Sequence, residues 1–214
     1  MKKLNLVSII FFLSLGLSAQ ENKSEYGTIF NKKSGEKVSH GGYGAFNMGY
    51  STIDGKSALV TGARGAWVID HKIALGIAGN GFFNNVQKSD NNLDYYLAGG
   101  YGGFYFEPIV KHNSSIHLSF PIIIGGGGVT TVPYYWDSYH WDTYYPVDAF
   151  FVFEPGVEIE FNVVNFFRMS IGATYRFTNG IIMSYSSSGS GKYDIPKEAL
   201  NSFSFYMNFK FGKF

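Results

Sequence analysis

Eight segments of apolar–polar alternation, an absence of helical periodicity, and connections that switch between short and long predict an all-β chain. The class is an eight-stranded, antiparallel, up-and-down transmembrane β-barrel preceded by a cleaved signal peptide. Composition agrees with it. Aromatic residues make up 19% of the 214 and glycine supplies 27 of them, where average glycine usage is about 7%. An apolar content of 45% with a net charge of +1 excludes a disordered chain. Near-neutrality also leaves no basic footprint for nucleic acid. With no cysteine, a disulfide framework, a thiolate metal site and a lipid-modified cysteine are all excluded.

The amino-terminal segment reads as an address. Met1, Lys2 and Lys3 form a basic start, residues 4–17 are largely apolar, and Ser18-Ala19-Gln20 offers small residues for cleavage. This is the layout of a secretory signal peptide over residues 1–19. It falls short of the roughly 20 apolar residues of a membrane helix. Residues 20–41 are polar and mixed in charge, and read as a periplasmic lead-in to a barrel over 42–214.

The strands are expected in the following order. Segment 42–52 alternates Gly44, Phe46, Met48 and Tyr50 against Tyr43, Ala45 and Asn47. Segment 57–69 sets Leu59, Thr61, Ala63 and Trp67 against Val60, Gly62, Arg64 and Ala66. Segment 73–83 is led by Ile73, Leu75 and Ile77, and 94–107 runs through Tyr101 to Phe106. Segment 116–127 carries Ile116, Leu118, Phe120, Ile122 and Ile124 on one face. In 149–162, Phe151, Phe153, Val157, Ile159 and Phe161 oppose Glu154, Glu158, Glu160 and Asn162. In 168–178, Met169, Ile171, Ala173, Tyr175 and Phe177 oppose Arg168, Ser170, Thr174 and Arg176. The last, 200–214, sets Phe203, Phe205, Met207, Phe209 and Phe211 against Ser204, Asn208 and Lys210.

Alternation alone fits a soluble sandwich as well as a barrel. The connections decide it. Those at 52–56, 84–93, 128–148 and 179–199 include the long ones, whereas 70–72, 108–115 and 163–167 are shorter. Outer-membrane barrels have short periplasmic turns and longer extracellular loops. A further hairpin within 131–147 or 179–199 would make the barrel ten-stranded.

An eight-stranded lumen is just wide enough for side chains to fill it. The inward charges Arg64, Glu154, Glu158, Glu160, Arg168, Arg176 and Lys210 therefore read as a salt-bridged structural plug, because unpaired buried charge is costly. A hairpin about residue 164 would set Glu160 opposite Arg168 and Glu158 opposite Ser170. Glycines 62, 65, 76, 79, 81, 99, 100, 102 and 103 fit tight curvature or crowding and match no nucleotide-binding spacing. Gly189-Ser-Gly-Lys192 is no phosphate loop: Ser186 stands where that pattern needs its first glycine, and Tyr193 follows the lysine.

The outer loops carry the most distinctive surface chemistry. Residues 134–146 read YYWDSYHWDTYYP, and Tyr134, Tyr135, Trp136, Trp141, Tyr144 and Tyr145 suit a binding surface for a glycan, lipopolysaccharide or a protein. The spacing of Asp137, His140 and Asp142 is not diagnostic of a metal, and no metal or cofactor is expected. The Ser/Gly-rich stretch 184–192 reads as a mobile loop.

The ending FSFYMNFKFGKF (203–214) resembles the terminal strand of outer-membrane β-barrels, whose last aromatic, here Phe214, is an assembly signal. IHLSFPIIIGGGGV (116–129) and FFVFEPGVEIEFNVVNFFRMSIGATYRF (150–177) are similar to segments of small outer-membrane barrel proteins of the Bacteroidetes, of OmpA- and OmpX-like architecture. The resemblance implies residence in the outer membrane of a Gram-negative bacterium, with its lipid and lipopolysaccharide as surroundings and the barrel assembly machinery as a partner. It brings no functional residues.

His117-Leu-Ser119 is similar to the His-x-Ser pair of outer-membrane lipid A deacylases, which would make Ser119 a nucleophile and His117 its base. The expected function is non-enzymatic: a structural or surface-recognition barrel displaying 128–148 and 179–199. A lipid-modifying hydrolase is one alternative, and a narrow pore or carrier of a small apolar ligand is another.

Overall fold

The computed structural model describes residues 38–84, 87–88, 94–133, 147–187 and 190–214, with backbone alone at 87–88, 94–95, 133, 184–187 and 190–194. The strands are β1 (His40–Ile53), β2 (Lys56–Ile69), β3 (Ile73–Asn84), β4 (Gln87–Lys88), β5 (Asp94–Val110) and β6 (Ile116–Ser119), then β7 (Ile122–Pro133), β8 (Val147–Val164), β9 (Phe167–Asn179), β10 (Ser184–Ser187), β11 (Ser190–Asp194) and β12 (Ser202–Lys213). No helix occurs among the described residues.

All pairings are antiparallel, and they close a ring. β1 lies between β2 and β12, β3 between β2 and β5, and β9 between β8 and β12; β6 and β7 fill the remaining place between β5 and β8. β4 prolongs β3 along the edge of β5, so the pieces make eight walls. The chain is an eight-stranded up-and-down barrel.

Following the register once around from Gly41 leads through Val68, Ala74, Glu107, Pro121, Gly156, Thr174 and Ser204 to Ser51. Strand β1 is thus met again ten residues further on, at Ser51 rather than Gly41. Such a stagger accompanies the strand tilt that closure demands.

Asp54 and Gly55 both have positive φ, 50° and 70°. They form the two-residue turn that joins Ile53 to its partner Lys56 and matches strand twist. Two of the interior glycines mark close approach of neighbouring backbones. A Cβ on Gly76 would strike the Gly65 carbonyl oxygen, and one on Gly103 the Ile124 carbonyl oxygen.

Three expected features are revised. Segment 116–127 is one wall in two pieces, because Pro121 has no N–H to offer the ladder; Phe120 N donates to Pro108 O at 3.0 Å and Gly156 N to Pro121 O at 2.8 Å across the break. The β8–β9 hairpin turns later than residue 164. Glu160 faces Ser170, Glu158 faces Gly172, and Asn162 faces Arg168, with a bulge between Asn162 and Val164. Within 179–199, β10 and β11 pair with each other as a hairpin outside the barrel sheet, so the described residues of this stretch add no ninth or tenth wall, and Ser184–Ser187 and Ser190–Asp194 are strand where loop is expected.

The barrel is apolar on its outside. Phe46, Met48, Leu59, Trp67, Ile77, Phe104, Ile116, Leu118, Ile124, Phe151, Ile159, Ile171, Phe205, Met207 and Phe211 are exposed, while Glu107, Glu158, Glu160, Arg176, Asn208 and Lys210 are buried. A water-soluble barrel has the opposite polarity.

Candidate functional site

The lumen holds the densest chemistry of the described residues. Inward positions of β5, β8, β9 and β12 alternate with outward apolar ones, so Glu107, Glu158, Glu160, Arg168, Ser170, Asn208 and Lys210 converge by strand parity alone. At the centre stands the Lys210 ammonium, 1% exposed. Its Nζ lies 2.5 Å from Glu107 Oε1 and 3.1 Å from Glu158 Oε2, and it also pairs with Glu160 Oε1. One cation therefore serves three carboxylates.

Further donors complete the set. Arg64 Nη2 reaches Glu158 Oε1 at 2.5 Å, and Tyr206 Oη donates to the same oxygen at 2.8 Å. Ser170 Oγ donates to Glu158 Oε2 at 2.8 Å. Tyr43 Oη donates to Glu107 Oε2 at 2.5 Å, while Arg64 Nη1 donates to Tyr105 Oη at 2.6 Å. Glu107, Glu158 and Glu160 are grouped closely enough to share a metal ion, but the lysine ammonium occupies that role.

His117 and Ser119 lie inside the lumen, 3% and 0% exposed. His117 Nε2 is 3.0 Å from Glu160 Oε2, and Ser119 Oγ donates to Glu160 Oε1 at 2.8 Å. The carboxylate thus stands between the two. A hydrolytic order needs the serine on the histidine; here Ser119 gives its hydrogen bond to glutamate. Arg168 Nη1 also approaches Glu160 Oε2, at 3.5 Å. The expected Glu160–Arg168 contact therefore exists, reached diagonally across the shifted register, and so does the contact between Ser170 and Glu158.

Glu154 and Arg176 sit apart from this cluster. Thr174 Oγ1 donates to Glu154 Oε1 at 2.6 Å, and Arg176 Nε donates to Leu200 O at 2.8 Å. The Arg176 guanidinium lies 5.4 Å from the ring centres of both Phe82 and Tyr101, a cation–π arrangement.

The lumen is closed at both ends. On one side Ile53, Val60, Phe82, Leu97, Phe150 and Val152 pack with Ile181, Met183, Ile195 and Leu200 from the β9–β12 connection. At the other, the Phe214 ring stacks on Tyr43 at 5.6 Å and beneath Arg168 at 4.0 Å. Outside the barrel wall at that end, burial and neighbouring His71 and Lys72 hold the His112 imidazole below its usual range.

Sequence reading missed Glu107, Tyr43, Tyr105 and Tyr206. Parity would have found them: Glu107 follows Tyr105 by two on one strand, and Tyr206 sits two before Asn208. Tyr134, Tyr135, Trp136, Trp141, Tyr144 and Tyr145 lie outside the described residues.

No protein-family model matches the chain, and no curated protein does. Among solved structures, neisserial surface protein A is similar at a TM-score of 0.53 and 7% identity, covering 84% of this chain and 100% of that one. The N-terminal β-barrel domain of Pseudomonas aeruginosa OprF gives a TM-score of 0.46 at 6% identity, covering 79% and 96%. The attachment invasion locus protein Ail of Yersinia pestis gives 0.44 at 10%, covering 80% and 98%. The first of these likenesses supports the barrel fold.

Proposed function

We propose that the protein is a non-enzymatic barrel of the outer membrane of a Gram-negative bacterium, a rigid scaffold that carries surface-recognition loops. The observation behind this reading is the inverted polarity: an apolar outer surface around an interior sealed by its own charges and by apolar packing. Lipid is the solvent that such an exterior suits. Residues 1–19 act as the export signal and 20–39 as a periplasmic lead-in, two residues shorter than the sequence suggests because His40 and Gly41 already pair with β2. The strand ending at Phe214 engages the barrel assembly machinery.

In this orientation the connections at 85–93, 134–146 and 180–201 face outward, and 70–72, 111–115 and 165–166 face the periplasm. The aromatic residues of 134–146 are the recognition surface, and lipopolysaccharide, a glycan or a protein is its partner class. Replacing Trp136 and Trp141 together by alanine abolishes binding to lipopolysaccharide micelles or to an arrayed glycan that the native protein binds, and leaves barrel assembly intact. Unaltered binding by the double variant refutes the loop's role. Ser119→Ala leaves the lipid mass profile of expressing cells unchanged, because the hydroxyl is enclosed and committed to Glu160. A changed profile would reinstate the hydrolase.

A further inference from the structure

Between the Lys210 cluster and the apolar outer seal lies a cavity of about 30 Å3. Arg64, Asn80, Tyr101, Glu154, Thr174 and Tyr206 are among its lining residues. Three of them bring buried polar atoms that have no hydrogen-bond partner among the described residues: Arg64 Nε, Tyr101 Oη and Glu154 Oε2. Tyr101 and Glu154 are 5% and 3% exposed, and the Arg64 side chain is 7% exposed. A buried polar atom left unmatched costs about 1–3 kcal/mol, so three of them on residues that line one small chamber mark a site.

We propose that this chamber is a built site for one or two water molecules. The donor and acceptor set selects the class of ligand. Glu154 Oε2 accepts only, Arg64 Nε donates only, and Tyr101 Oη does either. A metal cation has no partner in the arginine N–H, and an anion has none in the carboxylate. A neutral molecule that donates and accepts matches all three.

The volume sets the size, since one ordered water needs roughly 10–15 Å3 of such space. Water there links Glu154, held by Thr174, to Arg64, held by Glu158 and Tyr105. The outer and inner polar groups become one hydrogen-bonded network. The lumen is therefore hydrated at its middle while closed at both ends.

A crystal structure of the folded, full mature protein at a resolution that shows ordered solvent tests this. The expected result is one or two solvent peaks within hydrogen-bond distance of Glu154 Oε2, Arg64 Nε and Tyr101 Oη. Bromide and rubidium soaks add no anomalous signal at the site. In Ala78→Leu, whose new side chain enters the cavity beside Arg64, the peaks disappear while the barrel still forms. Tyr101→Phe retains fewer solvent contacts than the native protein. An anomalous ion in the chamber overturns the assignment to water. So does a dry chamber in which Glu154 and Tyr101 bond directly to each other.

Discussion

Lys210→Met destabilises the barrel by about 3–5 kcal/mol, the range measured when one partner of a buried ion pair is removed. The upper end is expected, because the substitution takes one cation from three carboxylates that share it. Glu107 and Glu160 suffer most. Glu158 keeps the Arg64 guanidinium at 2.5 Å, whereas Glu160 keeps the Ser119 hydroxyl and His117 but, of the permanent cations, only Arg168 at the longer 3.5 Å.

Reversible urea unfolding of protein folded into lipid vesicles measures the loss. Adding Glu107→Gln to Lys210→Met removes one of the stranded charges and restores part of the stability. That partial recovery separates charge imbalance from lost packing of the lysine stem. A loss under 1 kcal/mol for Lys210→Met would mean that Lys210 does not hold the cluster together.

Ile171→Arg gives the second large effect, and its size depends on the solvent outside the wall. Ile171 is 48% exposed and pairs with Ile159 on one side and Met207 on the other, both exposed as well. An arginine facing lipid near mid-bilayer costs about 2–4 kcal/mol. On a water-exposed surface such a change stays within about 0.5 kcal/mol. Unfolding of the variant from vesicles therefore separates a membrane barrel from a soluble one. An arginine at Asn165, in the turn beyond β8, is the control and is expected to be near neutral.

The extent to which this structure could be read from sequence follows the chemistry of each strand. β8, β9 and β12 alternate charged or hydroxyl residues with large apolar ones, so both faces announced themselves. The outer half of the lumen did not. Val60, Phe82, Leu97, Phe150 and Val152 point inward yet are as apolar as the residues pointing out, and two-sided apolar strands carry no period-2 signal. The apolar cap from the β9–β12 connection was hidden for a different reason. Ile181, Met183, Ile195 and Leu200 flank a Ser/Gly-rich stretch whose composition is that of a loop.

The lumenal site was legible as a set of charges but not as a geometry. Register decides which charges meet, and a two-residue shift in the β8–β9 hairpin keeps every side chain on its face while changing its partner. Long side chains absorbed that shift: Arg168 still reaches Glu160. Glu107 escaped because it ends an aromatic run, Tyr105-Phe106-Glu107-Pro108, that reads as the close of a strand. His117 and Ser119 read as a pair in sequence, and only the fold shows Glu160 interposed between them.

Digestion of intact cells with a broad-specificity protease, the cuts mapped by mass spectrometry, distinguishes a surface-displayed outer-membrane barrel from any other placement. Cuts are expected only within 85–93, 134–146 and 184–194, with 70–72, 111–115 and 165–166 protected. The 181–183 and 195–200 flanks, whose Ile181, Met183, Ile195 and Leu200 are packed into the barrel mouth, also survive. Cuts at the turns 70–72, 111–115 or 165–166 in intact cells would contradict the orientation, and complete protection would contradict a surface-displayed barrel.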